Sequence, residues 1–214
     1  MGLRATFDRL LQSDRPLVEM DDLIWQSLRN ASDSSNHPWS LGAFSTIDSA
    51  HPQFPRPECR TVVLRHADQD RRTIDFYTDV RSDKIRQLNS GHSPALVCWM
   101  FYEPSTKIQL RLDGTAEILD GTQADRAWEQ TPLQSRSAYL SLRRPGDHVD
   151  GPRPPDTSDR TVSQAASERG RANFRIIRTT VLRVDWLYLR DAGHVRAVID
   201  YAPQGAGDVS WVVP

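Results

Sequence analysis

The chain has 214 residues with a formal net charge of −1, and 38% of its residues are hydrophobic. This composition allows a packed core, but no apolar run approaches the roughly 20 residues that a membrane-spanning helix needs. The balanced charge gives no field that attracts nucleic acid, and the polar N-terminus is not typical of a secretory signal. We therefore expect a cytoplasmic protein without nucleic-acid or membrane partners. The two cysteines, Cys59 and Cys98, form no CxxC pair, so we expect no metal site and no disulfide framework.

The first 36 residues are predicted to contain helices. Apolar residues recur at helical spacing from Met20 to Ala31, and acidic residues occupy the first turn, where the helix dipole favours negative charge. A Ser- and Asn-rich break at Ser32–His37 ends this pattern.

Short β-branched or alternating runs then predict mostly strands. The predicted strands are Leu41–Ile47, Arg60–Arg65, Thr73–Thr78, Ala95–Phe101, Lys107–Ile118, Phe174–Leu189, His194–Tyr201 and Val209–Val213. Thr73–Thr78 alternates as a half-buried antiparallel strand should, and we expect it to form a hairpin with Arg60–Arg65. The pair Asp113-Gly114 indicates a bulge or kink. So many strands at short spacing favour a closed barrel over an α/β sheet.

The connecting segments contain two more predicted helices and a long loop. One helix falls within Arg81–Ser90, and Ala124–Leu142 is predicted to be helical with an interruption at Pro132. The Pro-rich stretch 144–160 predicts a loop. Because no internal repeat is visible, residues 1–214 are expected to form one domain.

The segment Phe76–Lys84 combines the side chains that a phosphate group requires. It runs from a strand end into a helix start, and a dianionic phosphate is bound by charged donors and helix N-termini. Its candidate donors are Arg81, Ser82 and Lys84. We also expect the predicted hairpin to bring Arg60 close to Thr78.

Ordered motifs in the chain resemble those of a known family. The patterns R-x-V-V-L-[KR], F-Y-T-[DN]-x-x-S-x-K and Q-x-x-x-x-G occur in this order at Arg60–Arg65, Phe76–Lys84 and Gln109–Gly114. Trp186, His194 and Arg196 follow near the C-terminus. This set resembles pyridoxamine 5'-phosphate oxidase and its FMN-binding relatives, over roughly residues 41–119 and 174–214.

The resemblance implies a mainly β fold with flanking helices, built on an FMN-binding split β-barrel of about six antiparallel strands. It implies FMN as the cofactor, a homodimer with FMN at the subunit interface, and an oxidoreductase that acts on a small molecule. By resemblance, FMN is bound by the side chains of Arg60, Tyr77, Thr78, Arg81, Ser82, Lys84, Gln109, Trp186 and Arg196, and by backbone groups of Val62, Val63 and Leu64.

The positions that would bind a phosphorylated substrate depart from the family pattern. The family's lysine is Arg65 here, its R-x-H arginine is Ala192, and ungapped counting from Gln109 puts its Tyr, Arg and Ser at Ala127, Thr131 and Ser135. The candidate substrate contacts are Arg65, Ser135 and His194, and the arginines that could replace the missing charges are Arg126, Arg136, Arg143 and Arg144. The substrate is therefore either pyridoxamine 5'-phosphate or another small molecule. The alternative is a non-catalytic protein that holds flavin, or haem through His194 or His37.

Overall fold

The computed structural model describes residues 2–50, 53–90, 94–151, 163–202 and 207–214. Its helices are α1 Leu3–Leu10, α2 Pro16–Asp33, α3 Asp83–Ser90, α4 Thr122–Gln130, α5 Leu133–Arg136 and α6 Gln164–Ser167, with 3-10 turns at Pro38–Ser40, Ser137–Tyr139 and Glu168–Asn173. Its strands are β1 Leu41–Asp48, β2 Arg56–Val63, β3 His66–Asp68, β4 Thr73–Asp79, β5 Ala95–Glu103, β6 Ile108–Leu119, β7 Phe174–Tyr188, β8 Val195–Asp200 and β9 Asp208–Val212.

The strands form one antiparallel sheet in the order β2-β1-β5-β6-β7-β4-β3, and β8 and β9 extend it from β7. The chain itself joins the two ends of this order, because β2 ends at Val63 and β3 begins at His66. β2 and β3 thus act as one bent strand, which with β1, β4, β5, β6 and β7 gives the six strands of the predicted split barrel. The hydrogen-bonded ladder is open at the bend, but the predicted fold class is confirmed.

The bulge predicted at Asp113-Gly114 is present. The register between β6 and β7 shifts between these two residues. A Cβ atom on Gly114 would lie 2.1 Å from the carbonyl oxygen of Thr180, so only glycine allows the strands to approach this closely. The bulge bends β6, which helps a sheet to curve into a barrel.

The core lies inside the barrel, and α1 and α2 extend it. Phe7 of α1 packs against Trp186 of β7 with ring centroids 5.1 Å apart. Trp25 of α2 donates its indole N–H to the Tyr201 hydroxyl at 2.8 Å. The predicted N-terminal helices therefore cover the second half of β7 and the chain just after β8.

The predicted hairpin between Arg60–Arg65 and Thr73–Thr78 is wrong. β2 pairs with β1, whereas β4 pairs with β3 and β7. The chain leaves β2 after Val63, so the short strand β3 takes the place beside β4.

The predicted half-burial of Thr73–Thr78 is also wrong, because six of the seven residues of β4 are buried and only Tyr77 is intermediate. Side chains from β7 cover the second face of the strand. Arg178 donates to both carboxylate oxygens of Asp75 at 2.9 and 2.8 Å, and Phe174 packs on Tyr77.

Candidate functional site

A cavity of about 440 Å³ lies between the start of α3 and strand β2. Pro145 and Gly146, from the start of the predicted Pro-rich loop, contribute to its lining, whereas residues 152–160 of that loop lie outside the described residues. Its cationic lining residues are Arg56, Arg60, Lys84 and Arg86, and its acidic lining residues are Asp48, Glu58 and Asp83. The pairing among these groups decides whether the cavity can hold an anion.

Arg60 enters the cavity from β2 and is held by neutral acceptors. Its Nη1 donates to Thr46 Oγ1 at 2.7 Å and to the Phe44 carbonyl oxygen at 3.3 Å. Its Nη2 donates to Gln87 Oε1 at 2.9 Å. Burial lowers the pKa of Arg60, yet an arginine stays protonated in proteins. A full positive charge is therefore kept in a partly desolvated place.

Lys84, in the first turn of α3, is the second half-buried cation. Its Nζ donates to Thr78 Oγ1 at 3.1 Å, and Thr78 Oγ1 lies 3.2 Å from Ser82 Oγ. Burial, followed by the charge of Arg60, lowers the pKa of Lys84, while Asp79 and Asp83 act in the opposite direction. Among the described residues, neither Arg60 nor Lys84 forms an ion pair. Two neighbouring cations without a carboxylate partner favour the binding of an anion.

Two other cations near the cavity are paired with carboxylates. Arg86 donates to both carboxylate oxygens of Asp48 at 2.9 Å, and this hydrogen bonding holds the pKa of Asp48 well below its usual value. Arg81 is paired with Asp79 at 2.6 Å and donates to the carbonyl oxygen of Ser141 at 2.9 Å. Arg81 is thus turned toward a carboxylate and the loop after α5, and its predicted contact with FMN stays a prediction.

The predicted ring contacts lie along the end of β2. Val62 and Leu64 are buried, and Val63 is partly exposed. β2 is a terminal strand of the sheet order, and such a strand has one edge whose backbone N–H and C=O groups lack a strand partner. This edge could offer backbone donors and acceptors to a flat ring.

An aromatic cluster formed by Tyr77, Tyr139 and Phe174 lies beside Arg65. The Phe174 ring centroid is 4.8 Å from that of Tyr77 and 5.2 Å from that of Tyr139. The guanidinium carbon of Arg65 is 5.7 Å from the Tyr77 ring centroid. Burial raises the pKa of both tyrosines, and the charge of Arg65 partly opposes this. Tyr139 therefore lies with the predicted residues Arg65 and Tyr77, although no ungapped motif of the sequence indicates it.

Gln109 and Arg196 lie elsewhere in the same chain. Both pair with Leu187, and directly paired residues share a face of a sheet, so both point to the outer face. Arg60 pairs with Phe44 on the inner face. β6 is three strand positions from β2, or about 14 Å along the sheet at usual strand spacing. One chain does not bring Gln109 or Arg196 to the cavity.

Trp186 points into the core between α1 and the sheet. Its side chain is fully buried, at 0% exposure, and packs against Phe7 and Tyr188. Among the described residues its indole nitrogen has no hydrogen-bond acceptor. Its predicted contact with FMN stays a prediction.

The remaining candidate substrate residues are dispersed. Ser135 is half-buried in α5, and His194 is exposed before β8. His37 accepts a backbone hydrogen bond from Trp39 through Nδ1 at 3.1 Å. Arg136 is buried and paired with Glu168 at 2.8 Å. The other three candidate arginines, Arg126, Arg143 and Arg144, are exposed.

A gap in the counting would have found Tyr139. Ungapped counting puts the family's Tyr-x-x-x-Arg at Ala127 and Thr131, but the same spacing recurs twelve residues later at Tyr139 and Arg143. The structure places Tyr139 beside Tyr77 and near Arg65, as described above. In this gapped arrangement the family's serine becomes Asp147.

Most of the residues that line the cavity lie in a segment that matches a known protein family. Residues 22–120 match the family model described as pyridoxamine 5'-phosphate oxidase, FMN-binding domain. These residues belong to that family. FMN is the cofactor of this domain, and the donors of the cavity fit its phosphate: two cations without carboxylate partners and the first turn of a helix.

Similar proteins extend over most of the chain. An Arabidopsis thaliana protein named pyridoxine/pyridoxamine 5'-phosphate oxidase 2 is 28% identical over 196 residues, which cover 81% of this chain and 93% of that protein. A Burkholderia mallei pyridoxine/pyridoxamine 5'-phosphate oxidase is 29% identical over 133 residues, which cover 62% of this chain and 56% of that protein. This chain therefore matches little more than half of the Burkholderia protein.

Solved structures show the same fold. A pyridoxamine 5'-phosphate oxidase-related, FMN-binding protein from Nostoc punctiforme has a TM-score of 0.66 at 22% identity, covering 90% of this chain and 96% of that one. PhzG from Burkholderia lata, in complex with tetrahydrophenazine-1-carboxylic acid, has a TM-score of 0.64 at 16% identity, covering 90% and 91%. Among the described residues of this chain, no helix has both the length and the apolar character needed to cross a membrane.

Proposed function

We propose that this protein is a homodimeric, FMN-dependent oxidoreductase that acts on a small molecule. The observation that carries the proposal is the pair Arg60 and Lys84. Both cations are partly desolvated and close enough for Arg60 to lower the pKa of Lys84. The phosphate of FMN would offset the repulsion between these two positive charges.

In this proposal the phosphate of FMN binds between β2 and α3. Arg60, Ser82 and Lys84 contact it, while the ring extends along the edge of β2 toward Tyr77. Bound FMN supplies the two-electron chemistry, and the protein binds and orients the substrate and limits access of water.

The homodimer would complete the site. Gln109 and Arg196 point away from the cavity of their own chain, so a second copy is the simplest source of these two contacts. The outer face also exposes apolar side chains that a partner could cover. These are Leu41, Val63, Leu96, Met100 and Tyr102.

Pyridoxamine 5'-phosphate is the first substrate to test, because relatives are named for it. Arg65, Tyr139 and Arg143 are the proposed contacts of its phosphate, with Ser135 and His194 as further candidates. However, Asp147 and Ala192 stand where the family pattern has a serine and an arginine. Each missing charge-assisted hydrogen bond costs about 1.5–3 kcal/mol, so we expect a phosphorylated substrate to bind weakly, and a different small molecule is an equal candidate.

The proposal is tested by visible absorption spectroscopy of the purified protein under anaerobic conditions. We expect a flavin spectrum that bleaches when pyridoxamine 5'-phosphate or another candidate substrate is added, followed by recovery with oxygen. A flavin spectrum that no candidate substrate bleaches would instead identify a non-catalytic flavin-binding protein. A Soret band without a flavin spectrum would contradict the proposal and indicate haem.

A further inference from the structure

Gln87 of α3 is hydrogen-bonded to Arg60, a proposed ligand of the phosphate. Its side chain is buried, at 5% exposure, and its Oε1 accepts hydrogen bonds from Arg60 at 2.9 Å and from Thr46 at 2.6 Å. Gln87 follows Lys84 by three residues, so both side chains lie on one face of the helix. One face of α3 therefore meets Arg60 with an amide and supplies the second cation.

The hydrogen bonds of Arg60 leave part of its guanidinium group free. A guanidinium group has five N–H donors, and Phe44, Thr46 and Gln87 accept three of them. Among the described residues, the Nε–H and one Nη2–H have no acceptor. Thr46 Oγ1 and Gln87 Oε1 lie only 2.6 Å apart, so they occupy the edge shared by Nη1 and Nη2. The edge formed by Nε and Nη2 is left to meet an anion.

We propose that Gln87 and Thr46 are positioning residues that hold Arg60 so that its free edge meets the phosphate of FMN, without neutralising its charge. This inference rests on the proposed function. It adds two residues that no motif of the sequence selected.

The neutral acceptors of Arg60 contrast with the carboxylate acceptors of two arginines beside the same cavity. Arg86 and Arg81 are held by the carboxylates of Asp48 and Asp79, so their charges are already compensated. The amide of Gln87 must turn its oxygen, not its NH₂ group, toward the N–H donors of Arg60. This oxygen accepts hydrogen bonds but carries no formal charge. Arg60 is thus oriented by hydrogen bonds, and its charge stays available to an anion.

The test compares FMN with riboflavin, which has the same ring and ribityl chain but no phosphate. The dissociation constants of both ligands are measured by fluorescence titration of the apoprotein and of its Gln87→Met, Gln87→Glu and Thr46→Val variants. Asn89→Ala, at an exposed position of the same helix, is the matched control.

We expect Gln87→Met and Thr46→Val to weaken FMN binding about tenfold, the effect of one hydrogen bond to a charged group. Riboflavin affinity should stay within about twofold of the wild-type value. Gln87→Glu should weaken FMN binding more than Gln87→Met, because the new carboxylate neutralises Arg60. Lower pH should partly restore FMN affinity in this variant as the carboxyl group is protonated.

Equal losses of FMN and riboflavin affinity in all three variants would overturn the inference, since they would indicate a general structural role. Unchanged FMN affinity in the folded variants would also overturn it. A wild-type protein that binds the two ligands equally would remove the proposed phosphate site itself, and with it this inference. The two failures are therefore distinguishable.

Discussion

At the scale of single residues, the environment of Lys84 has a consequence for pH dependence. Burial and the charge of Arg60 lower its pKa in the free protein. A bound dianion favours the charged ammonium group and raises that pKa, so FMN binding is coupled to proton uptake. FMN affinity should therefore be constant where free Lys84 is protonated and should fall as the pH rises through its lowered pKa.

This prediction is checked by measuring the FMN dissociation constant between about pH 7 and pH 10, where the phosphate of FMN is already dianionic. Lys84→Arg is the matched control, because arginine stays charged throughout this range. The variant should bind FMN without the alkaline loss of affinity. If Lys84→Arg loses affinity with the same pH dependence as the wild type, another group is responsible.

Some of the site was predictable from residue types alone. Arg60, Ser82 and Lys84 were selected because a phosphate needs charged and hydroxyl donors, and the structure brings them to one cavity. Gln87 was not, because its role follows from the packing of α3 on β1, which no local pattern encodes. Tyr139 was missed because its alignment depends on a gap of unknown length after β6.

At the scale of elements, strand positions were easier to predict than strand partners. Alternation and β-branched runs located the strands, and the sequence Asp113-Gly114 located the bulge. The partner of β4 was predicted wrongly, because the chain bends at Leu64 and Arg65. After this bend β3, and not β2, pairs with β4. A bend of two residues leaves no periodic signal in an otherwise extended segment.

The bulge provides a stability prediction. Gly114→Ala should lower the free energy of unfolding by about 2–3 kcal/mol, since the added Cβ overlaps the backbone of Thr180 in a tightly packed strand pair. Gly151→Ala is the control, because no atom of the described part of the chain lies within 4 Å of its added Cβ. Guanidinium chloride unfolding measures both variants. Equal stabilities would show that β6 and β7 can separate at the bulge without cost.

At the scale of the whole molecule, the proposed site requires two copies of the chain. Arg60 of β2 and Lys84 of α3 line one cavity, and the outer face of the barrel carries Gln109 and Arg196. A two-fold dimer presents the same surface from both subunits, so each would complete the other's site. That the whole chain forms one domain stays a prediction.

A charge on the outer face should separate the two copies. Met100 is 41% exposed on β5, between Ala43 and Arg111 on the neighbouring strands. We expect Met100→Asp to convert a dimer into a monomer and to weaken FMN binding, because burying an unpaired carboxylate in an apolar interface is costly. Val18→Asp, at a position 60% exposed on α2, should change neither property. Analytical ultracentrifugation at matched concentrations measures the mass, and a wild-type monomer that binds FMN tightly would contradict the two-subunit site.

The most direct test of the whole account is FMN titration of Arg60→Ala and Lys84→Ala. Lys107→Ala is the matched control, because Lys84 and Lys107 are the only lysines of the chain, and Lys107 is an exposed residue paired with Asp191. Each of the two test variants should bind FMN at least about tenfold more weakly, since each loses one charge-assisted contact with the phosphate. The control should bind like the wild type. Wild-type affinity in both test variants would contradict the assigned phosphate site.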